Sequence, residues 1–144
     1  MTGVAKRIHK LRELTGRTEK DLAALLDMTI ASYCDVEAHD DELEMVASLR
    51  QVKVLAEHLG VSCAELFGEE TVRGEQPLRY PMLVARTEEC RRSAGSSEEA
   101  FAELVGCELR DFLTSENAML DNYPIDFLKS LCGLLQIPWT HALP

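Results

Sequence analysis

The 144-residue sequence has few aromatic residues and no long apolar run. Aromatic residues make up 6% of the chain and hydrophobic residues 46%, a mixture that favours small helical units over a sandwich or a barrel. No apolar stretch approaches the roughly 20 residues that a membrane-spanning helix requires. The basic N-terminal segment also lacks the apolar core and the cleavage site of a secretion signal. We therefore expect a cytoplasmic protein that makes no contact with membranes.

The sequence also lacks the short motifs that mark common enzymes and metal sites. The patterns GxxxxGK, GxGxxG and GxSxG are absent, and the four histidines form no HExxH. The five cysteines are scattered, odd in number and without a CxxC pair, which is typical of reduced thiols packed in a cytosolic protein. The acidic run 39–42 lacks the glycine and the alternating oxygen ligands of a calcium loop. We expect no enzyme, no metal site and no cofactor.

Positive charge is scarce and unevenly distributed along the chain. The formal net charge is −10, and the sequence pI is about 4.8. Residues 1–20 hold six basic and two acidic residues, whereas residues 21–72 hold two basic and 12 acidic residues. Residues 73–144 hold seven basic and 11 acidic residues. A protein with this balance is repelled by phosphate backbones and by anionic membranes.

Helical spacing of apolar residues, together with start and stop residues, predicts short helices in the first half of the chain. The first helix spans 4–14, and Gly16 ends it. Thr18 is predicted to cap the second helix and Thr29 the third. Their side chains can accept hydrogen bonds from the free amides of a first helical turn. The first half therefore begins with three short helices joined by tight turns.

A longer fourth helix is predicted over 45–59, where apolar residues recur at positions 45, 49, 52, 56 and 59. Gly60 is placed to stop this helix, and Ser62 to cap a last short one. Residues 69–81 hold two prolines and one glycine with little periodicity, which predicts a linker.

Residues 82–144 repeat the same plan. Gly95 corresponds to Gly16 and Ser97 to Thr18, each 79 residues further along the chain. At the same offset we pair Phe101 with Leu22, Ala102 with Ala23, Val105 with Leu26, Phe112 with Tyr33, and Glu116 with Glu37. A diverged tandem duplication explains why cap, apolar stripe and stop recur in order, and chance similarity between short amphipathic helices is the alternative. We predict a domain at 1–68, a linker at 69–81 and a second domain at 82–144.

The segment IHKLRELTGRTEKDLAALLDMTIASYCDVEAH, with the later LAEHLGVSCAELFG, resembles the lambda-repressor/Cro (XRE-like) helix-turn-helix family. The resemblance covers about residues 5–68, and that of 82–143 rests on the internal repeat. It implies an all-α fold of two small lambda-repressor-like helical bundles in tandem. In this family the second helix braces the DNA backbone and the third lies in the major groove.

The resemblance assigns positions in this sequence to DNA contacts. The reading-helix positions would be Thr18, Glu19, Ile30, Ala31, Ser32 and Asp35. The candidates for phosphate contacts are Lys6, Arg7, Lys10, Arg91, Arg92 and Arg110. In the second half, Arg110, Asp111 and Thr114 would occupy the equivalent reading positions.

The chemistry of these positions departs from the family's. A glutamine commonly stands at the position of Glu19, where it can donate to phosphate, whereas a carboxylate repels phosphate. Guanine is read by Arg or Lys and adenine by Asn or Gln, and the third helix offers neither. Residues 28–42 hold five carboxylates and no lysine or arginine. We expect an acidic interaction face made of Asp35, Glu37, Asp40, Asp41 and Glu42.

Two functions follow from this combination of fold and charge. We favour a regulator of transcription whose degenerate, acidic reading helix makes protein–protein contacts with a basic partner. The alternative is a dimeric, sequence-specific DNA-binding regulator of the same family, in which basic residues meet the DNA backbone. An exposed Ile30 is compatible with a homodimer, although an apolar stripe looks the same within a chain and between chains.

Overall fold

The computed structural model describes residues 3–69 and 78–143, and within them the chain is all-α. The helices are α1 (Val4–Thr15), α2 (Glu19–Leu25), α3 (Ile30–Ala38), α4 (Glu42–Val46), α5 (Leu49–Leu59), α6 (Cys63–Leu66), α7 (Tyr80–Ser93), α8 (Glu98–Val105), α9 (Arg110–Thr114), α10 (Glu116–Asn122), α11 (Ile125–Leu135) and α12 (Trp139–Ala142). None of these helices combines the length and apolarity needed to cross a membrane. Most of the predicted linker, 70–77, lies outside the described residues.

The predicted helix boundaries of the first half are confirmed where a cap or a stop defines them. Gly16 ends α1 with a left-handed φ of 74°, which glycine adopts without steric cost. Thr18 forms a reciprocal capping box with Asp21, because each side chain accepts the other residue's backbone amide. Thr29 and Ser62 cap α3 and α6 through single side-chain hydrogen bonds.

The predicted long helix over 45–59 is wrong, because the chain forms α4 and α5 with a break between them. Ala47 and Ser48 are extended, and the Ser48 side chain caps α5 by accepting the amide of Gln51 at 3.1 Å. The Leu49 amide donates to the Tyr123 carbonyl at 2.8 Å, so the second half of the chain binds the first turn of α5. Met45 consequently leaves the apolar stripe and is 57% exposed.

Backbone conformation repeats along the chain in a way that a duplication would produce. Residues with left-handed φ fall at paired positions 79 or 76 residues apart: Gly16 with Gly95, Asp27 with Gly106, and Gly60 with Gln136. The paired apolar residues Leu22 and Phe101 are both buried, as are Tyr33 and Phe112. These matches favour the internal repeat, and the division into two tandem domains stays a prediction.

The second half differs from the first at the position of α3. Each half has six helices within the described residues, and α9, the counterpart of α3, is the shorter of the two. It ends at Thr114, and α10, the counterpart of α4, follows after the extended residue Ser115. Ser115 caps α10 by accepting the amide of Ala118 at 3.1 Å. Glu116, which we paired with Glu37 at the end of α3, therefore begins a helix instead of ending one.

The two halves pack on one another over a continuous apolar core. Helix α10 contacts α5, and α11 contacts α4. Polar bonds border these contacts: Arg50 donates to Asp121 and, at 2.9 Å, to Asn117, and Lys129 pairs with Glu44 at 2.8 Å. This packing leaves α3 at one side of the molecule, attached to α1 and α2.

Candidate functional site

The outer surface of α3 is open to solvent at the positions that the sequence assigned to DNA. Ile30, Ala31, Ser32 and Asp35 are exposed, and we call these four residues the α3 face. Tyr33, on the opposite side of the helix, is buried in the core. With 3.6 residues per turn, Ala31, Ser32 and Asp35 share one side of α3, and Ile30 occupies its first position. The α3 face is therefore sterically free to meet a partner.

Glu19, the position on α2 that the family resemblance directs at the DNA backbone, has its carboxylate bound to other side chains of the protein. Its Oε2 accepts the Cys34 thiol at 2.7 Å, and its Oε1 lies 3.5 Å from Nη2 of Arg12. The hydrogen bond with Glu19, followed by burial, raises the pKa of Cys34, so this thiol remains protonated at neutral pH. Thr18, which the resemblance also directs at the DNA backbone, is exposed, and its side chain caps α2.

An ion pair between Arg12 and Glu37 joins α1 to α3. Arg12 Nε lies 2.7 Å from Glu37 Oε2, and Arg12 Nη2 lies 3.1 Å from Glu37 Oε1, which is a bidentate geometry. The two side chains are only 10% and 6% exposed. The prediction that Glu37 contributes to an exposed acidic face is therefore wrong, because its carboxylate points inward to neutralise Arg12.

His9 completes the same cluster from the exposed side of α1. Its Nδ1 is 2.7 Å from Glu37 Oε1, and its Nε2 is 3.0 Å from Glu13. The hydrogen bond to Glu37 is the main reason why the pKa of His9 is raised. Burial opposes ionisation of Glu37, but hydrogen bonds from Arg12 and His9 outweigh it and lower the Glu37 pKa. The cluster is thus held by a carboxylate that stays charged.

The second half preserves part of this cluster. Arg12 Nη1 donates to the Arg17 carbonyl at 3.0 Å, and Arg91 Nη1 donates to the equivalent Ser96 carbonyl at 3.3 Å. Arg91 also pairs with Glu88 at 2.8 Å. Within 3–69 and 78–143, however, the buried Nε of Arg91 has no hydrogen-bond acceptor. We attribute this to the break at α9–α10, which moves Glu116 away from the position that Glu37 holds in the first half.

The other members of the predicted acidic face differ in what their carboxylates do. Asp40 accepts the Ala5 amide at 3.0 Å and so binds the first turn of α1, although its side chain is exposed. Asp35 and Asp41 are exposed, and Glu42 is half-buried at the start of α4. Asp35 and Asp41 therefore remain the carboxylates best placed to meet a partner.

The residues predicted to contact phosphate do not form one continuous set. Lys6 and Lys10 are exposed on α1, while Arg7 is half-buried and donates to the Leu66 carbonyl at 3.0 Å. Arg92 on α7 and Arg110 on α9 are exposed in the second half. Arg91 belongs to the ion pair described above.

Comparison with known proteins adds no relative to this description. No protein-family model matches the chain, and no curated protein is significantly similar to it. The candidate site is therefore defined by its own geometry: an exposed α3 face, acidic side chains beside it, and an internal ion pair that holds α3 to α1.

Proposed function

We propose that this chain is a helix-turn-helix regulatory protein that acts through protein–protein contacts rather than by reading bases. The observation that carries the proposal is the charge around the exposed α3 face. Residues 19–46, from the start of α2 to the end of α4, contain nine acidic residues and one basic residue, Lys20. A helix in this setting has the shape to enter a groove but the charge of the nucleic acid.

Nucleic-acid affinity depends on lysine and arginine side chains that neutralise phosphates. The arginines that precede α2 in the chain already have partners, since Arg12 pairs with Glu37 and Arg17 Nη1 lies 3.0 Å from Nδ1 of His58. Asp35, by contrast, is exposed on the α3 face and would approach the phosphates against their field. Repulsion therefore outweighs the few base contacts that Ser32 and Asp35 can make.

A basic protein surface is the partner that fits these charges. Complementary potentials accelerate encounter and fix the register of an interface, and the effect weakens as salt screens it. The α3 face also offers Ile30, 49% exposed, as an apolar contact at the N-terminal end of the helix. We therefore expect an acidic and apolar surface that binds the positively charged face of another regulator.

The test is stopped-flow association with a fluorescently labelled, lysine-rich peptide at several salt concentrations. The variant Asp35→Asn/Asp41→Asn removes two exposed charges from this side of the molecule and spares Asp40, which binds α1. Glu89→Gln/Glu103→Gln is the matched control, because it changes the net charge equally at exposed positions of α7 and α8. We expect slower association for the first variant only. Equal rates for both variants would contradict the proposal.

A second function is favoured by the exposed cations of the other helices. Lys6 and Lys10 on α1, and Arg92 and Arg110 in the second half, are exposed, form no ion pair within the described residues and can reach a DNA backbone. In this alternative the protein is a dimeric, sequence-specific DNA-binding regulator, with Ile30 at the dimer contact. Equilibrium sedimentation and a DNA titration at low salt separate it from the first function.

A further inference from the structure

One cleft lies where the two halves of the chain meet, and a second lies within the second half. The first has a volume of about 620 Å³ and is bounded by the end of α2, by α4 and α5, and by the end of α10. The second has a volume of about 690 Å³ and lies between the α8–α9 turn and α11. The two clefts share Asn122, Tyr123 and Pro124, which form part of the wall of each.

The first cleft has an apolar edge that nothing in the described chain covers. Met45 and Val46 at the end of α4 are 57% and 59% exposed, and both line it. Leu25 and Val54 line the same cleft and are packed against the core. Exposure of adjacent apolar side chains to water is unfavourable, and a partner that covers them lowers the free energy.

The rim of the two clefts is predominantly acidic. Five carboxylates line them, namely Asp27, Glu108, Asp111, Asp121 and Asp126. Two arginines line them as well, and Arg50 is neutralised by Asp121. The pKa of Asp126 is raised by burial first, then by Glu44, and to a smaller extent by Asp41. Carboxylates therefore outnumber arginines along the two clefts.

We propose that these clefts bind a lysine- or arginine-bearing segment of a protein partner, which inserts apolar side chains beside Met45, Val46 and Val54. The inference rests on the proposed function for the charge of the partner and adds the surface that holds it. A partner segment of this kind matches both the apolar edge and the acidic rim. A second copy of the chain matches less well, because each copy carries a net charge of −10.

The test measures binding of a labelled amphipathic peptide of lysine and leucine to the full chain by fluorescence anisotropy, with polylysine as a probe that lacks apolar side chains. The variant Met45→Ser/Val46→Ser removes the apolar edge. Leu104→Ser is its matched control, because Leu104 is 62% exposed on α8 and does not line either cleft. We expect the double variant to bind the lysine–leucine peptide about tenfold more weakly. The control should bind it unchanged, and polylysine should not distinguish the proteins.

Three results would overturn the inference. The first is equal affinity of the double variant and the wild type for the lysine–leucine peptide. The second is no binding of that peptide to the wild type. The third is self-association of the wild type in sedimentation that Met45→Ser/Val46→Ser abolishes, which would make a second copy the occupant. If Met45→Ser/Val46→Ser binds the peptide normally while Asp35→Asn/Asp41→Asn associates slowly, the binding site in the clefts is rejected and the proposed function is retained. If the first variant binds weakly and the second associates normally, the binding site in the clefts is retained and the role of the α3 face is rejected.

Discussion

Replacing Arg12 by methionine should destabilise the fold more than the same change at its counterpart in the repeat, Arg91. Arg12 makes two hydrogen bonds to the Glu37 carboxylate and one to the Arg17 carbonyl, and its side chain is 10% exposed. Methionine preserves much of the apolar volume of arginine but removes the charge and the donors. Glu37, 6% exposed, would then be a buried carboxylate whose remaining neighbours are the half-exposed His9 and the Tyr33 hydroxyl.

The size of the effect follows from what remains around Glu37. Removing one member of a fully buried ion pair costs about 3–5 kcal/mol, because the other charge stays buried without compensation. His9 still contacts Glu37 at 2.7 Å, so we expect a loss of about 2–4 kcal/mol for Arg12→Met. Arg91 pairs with Glu88, three residues earlier on the same helix, and both side chains are more than 20% exposed. Such a pair contributes little, so Arg91→Met should cost clearly less.

The assay is urea unfolding of the three proteins at neutral pH, followed by circular dichroism. A third variant, Arg12→Met/Glu37→Leu, removes both charges and should recover part of the loss, since no carboxylate remains unpaired. If Arg12→Met were no less stable than Arg91→Met, the ion pair would not hold α3 to α1 as we describe. The same conclusion would follow if the double variant were as unstable as Arg12→Met alone.

Four further substitutions test other parts of the fold. Glu37 raises the pKa of His9 above 6.5. The stabilising contribution of protonated His9 is therefore complete below pH 6.5 and is lost as the pH rises through the pKa of His9 in the folded protein. His9→Gln should consequently flatten the dependence of the unfolding free energy on pH between about 6 and 8. Thr18→Ala removes the capping box of α2 and should lower the unfolding free energy by about 1 kcal/mol in urea. Gly106 has a left-handed φ of 94°, so Gly106→Ala should lower the unfolding free energy by about 1–2 kcal/mol. Gly133 lies within α11, and a Cβ added there meets no atom within 4 Å. Gly133→Ala should therefore stabilise the fold by roughly 0.5–1 kcal/mol, as measured by thermal unfolding.

Local sequence signals were sufficient to predict much of the helical framework. A threonine or serine before an apolar-periodic segment caps α2, α3, α6 and α8, because its hydroxyl reaches an amide only three residues away. Gly16 and Gly60 stop their helices for an equally local reason. The break before α5 also had a local signal that we did not use: Ser48 and Gln51 form a capping box of the serine–x–x–glutamine type. We predicted one continuous helix because apolar residues recur at helical spacing on both sides of the break.

The candidate site could be predicted only in part, because its decisive contacts join residues far apart in the sequence. Arg12 and Glu37 are 25 residues apart, and no periodicity indicates that this carboxylate faces inward. The seam between the halves depends on the same kind of contact, since Arg50 meets Asp121 across 71 residues. Residues of α3 such as Asp35, which the family resemblance placed on the outer face of the helix, are exposed in the structure.

The most direct measurement of the central claim is a fluorescence titration of the full chain against labelled duplexes from a random-sequence pool at low salt. Low salt strengthens every contact with phosphate, so weak binding to DNA is easiest to detect under this condition. We expect no sequence-dependent binding, and we expect Asp35→Lys, which places a cation on the α3 face, to increase non-specific affinity. Tight binding to a selected sequence that is lost on Ser32→Ala would contradict the claim and establish direct base reading by α3.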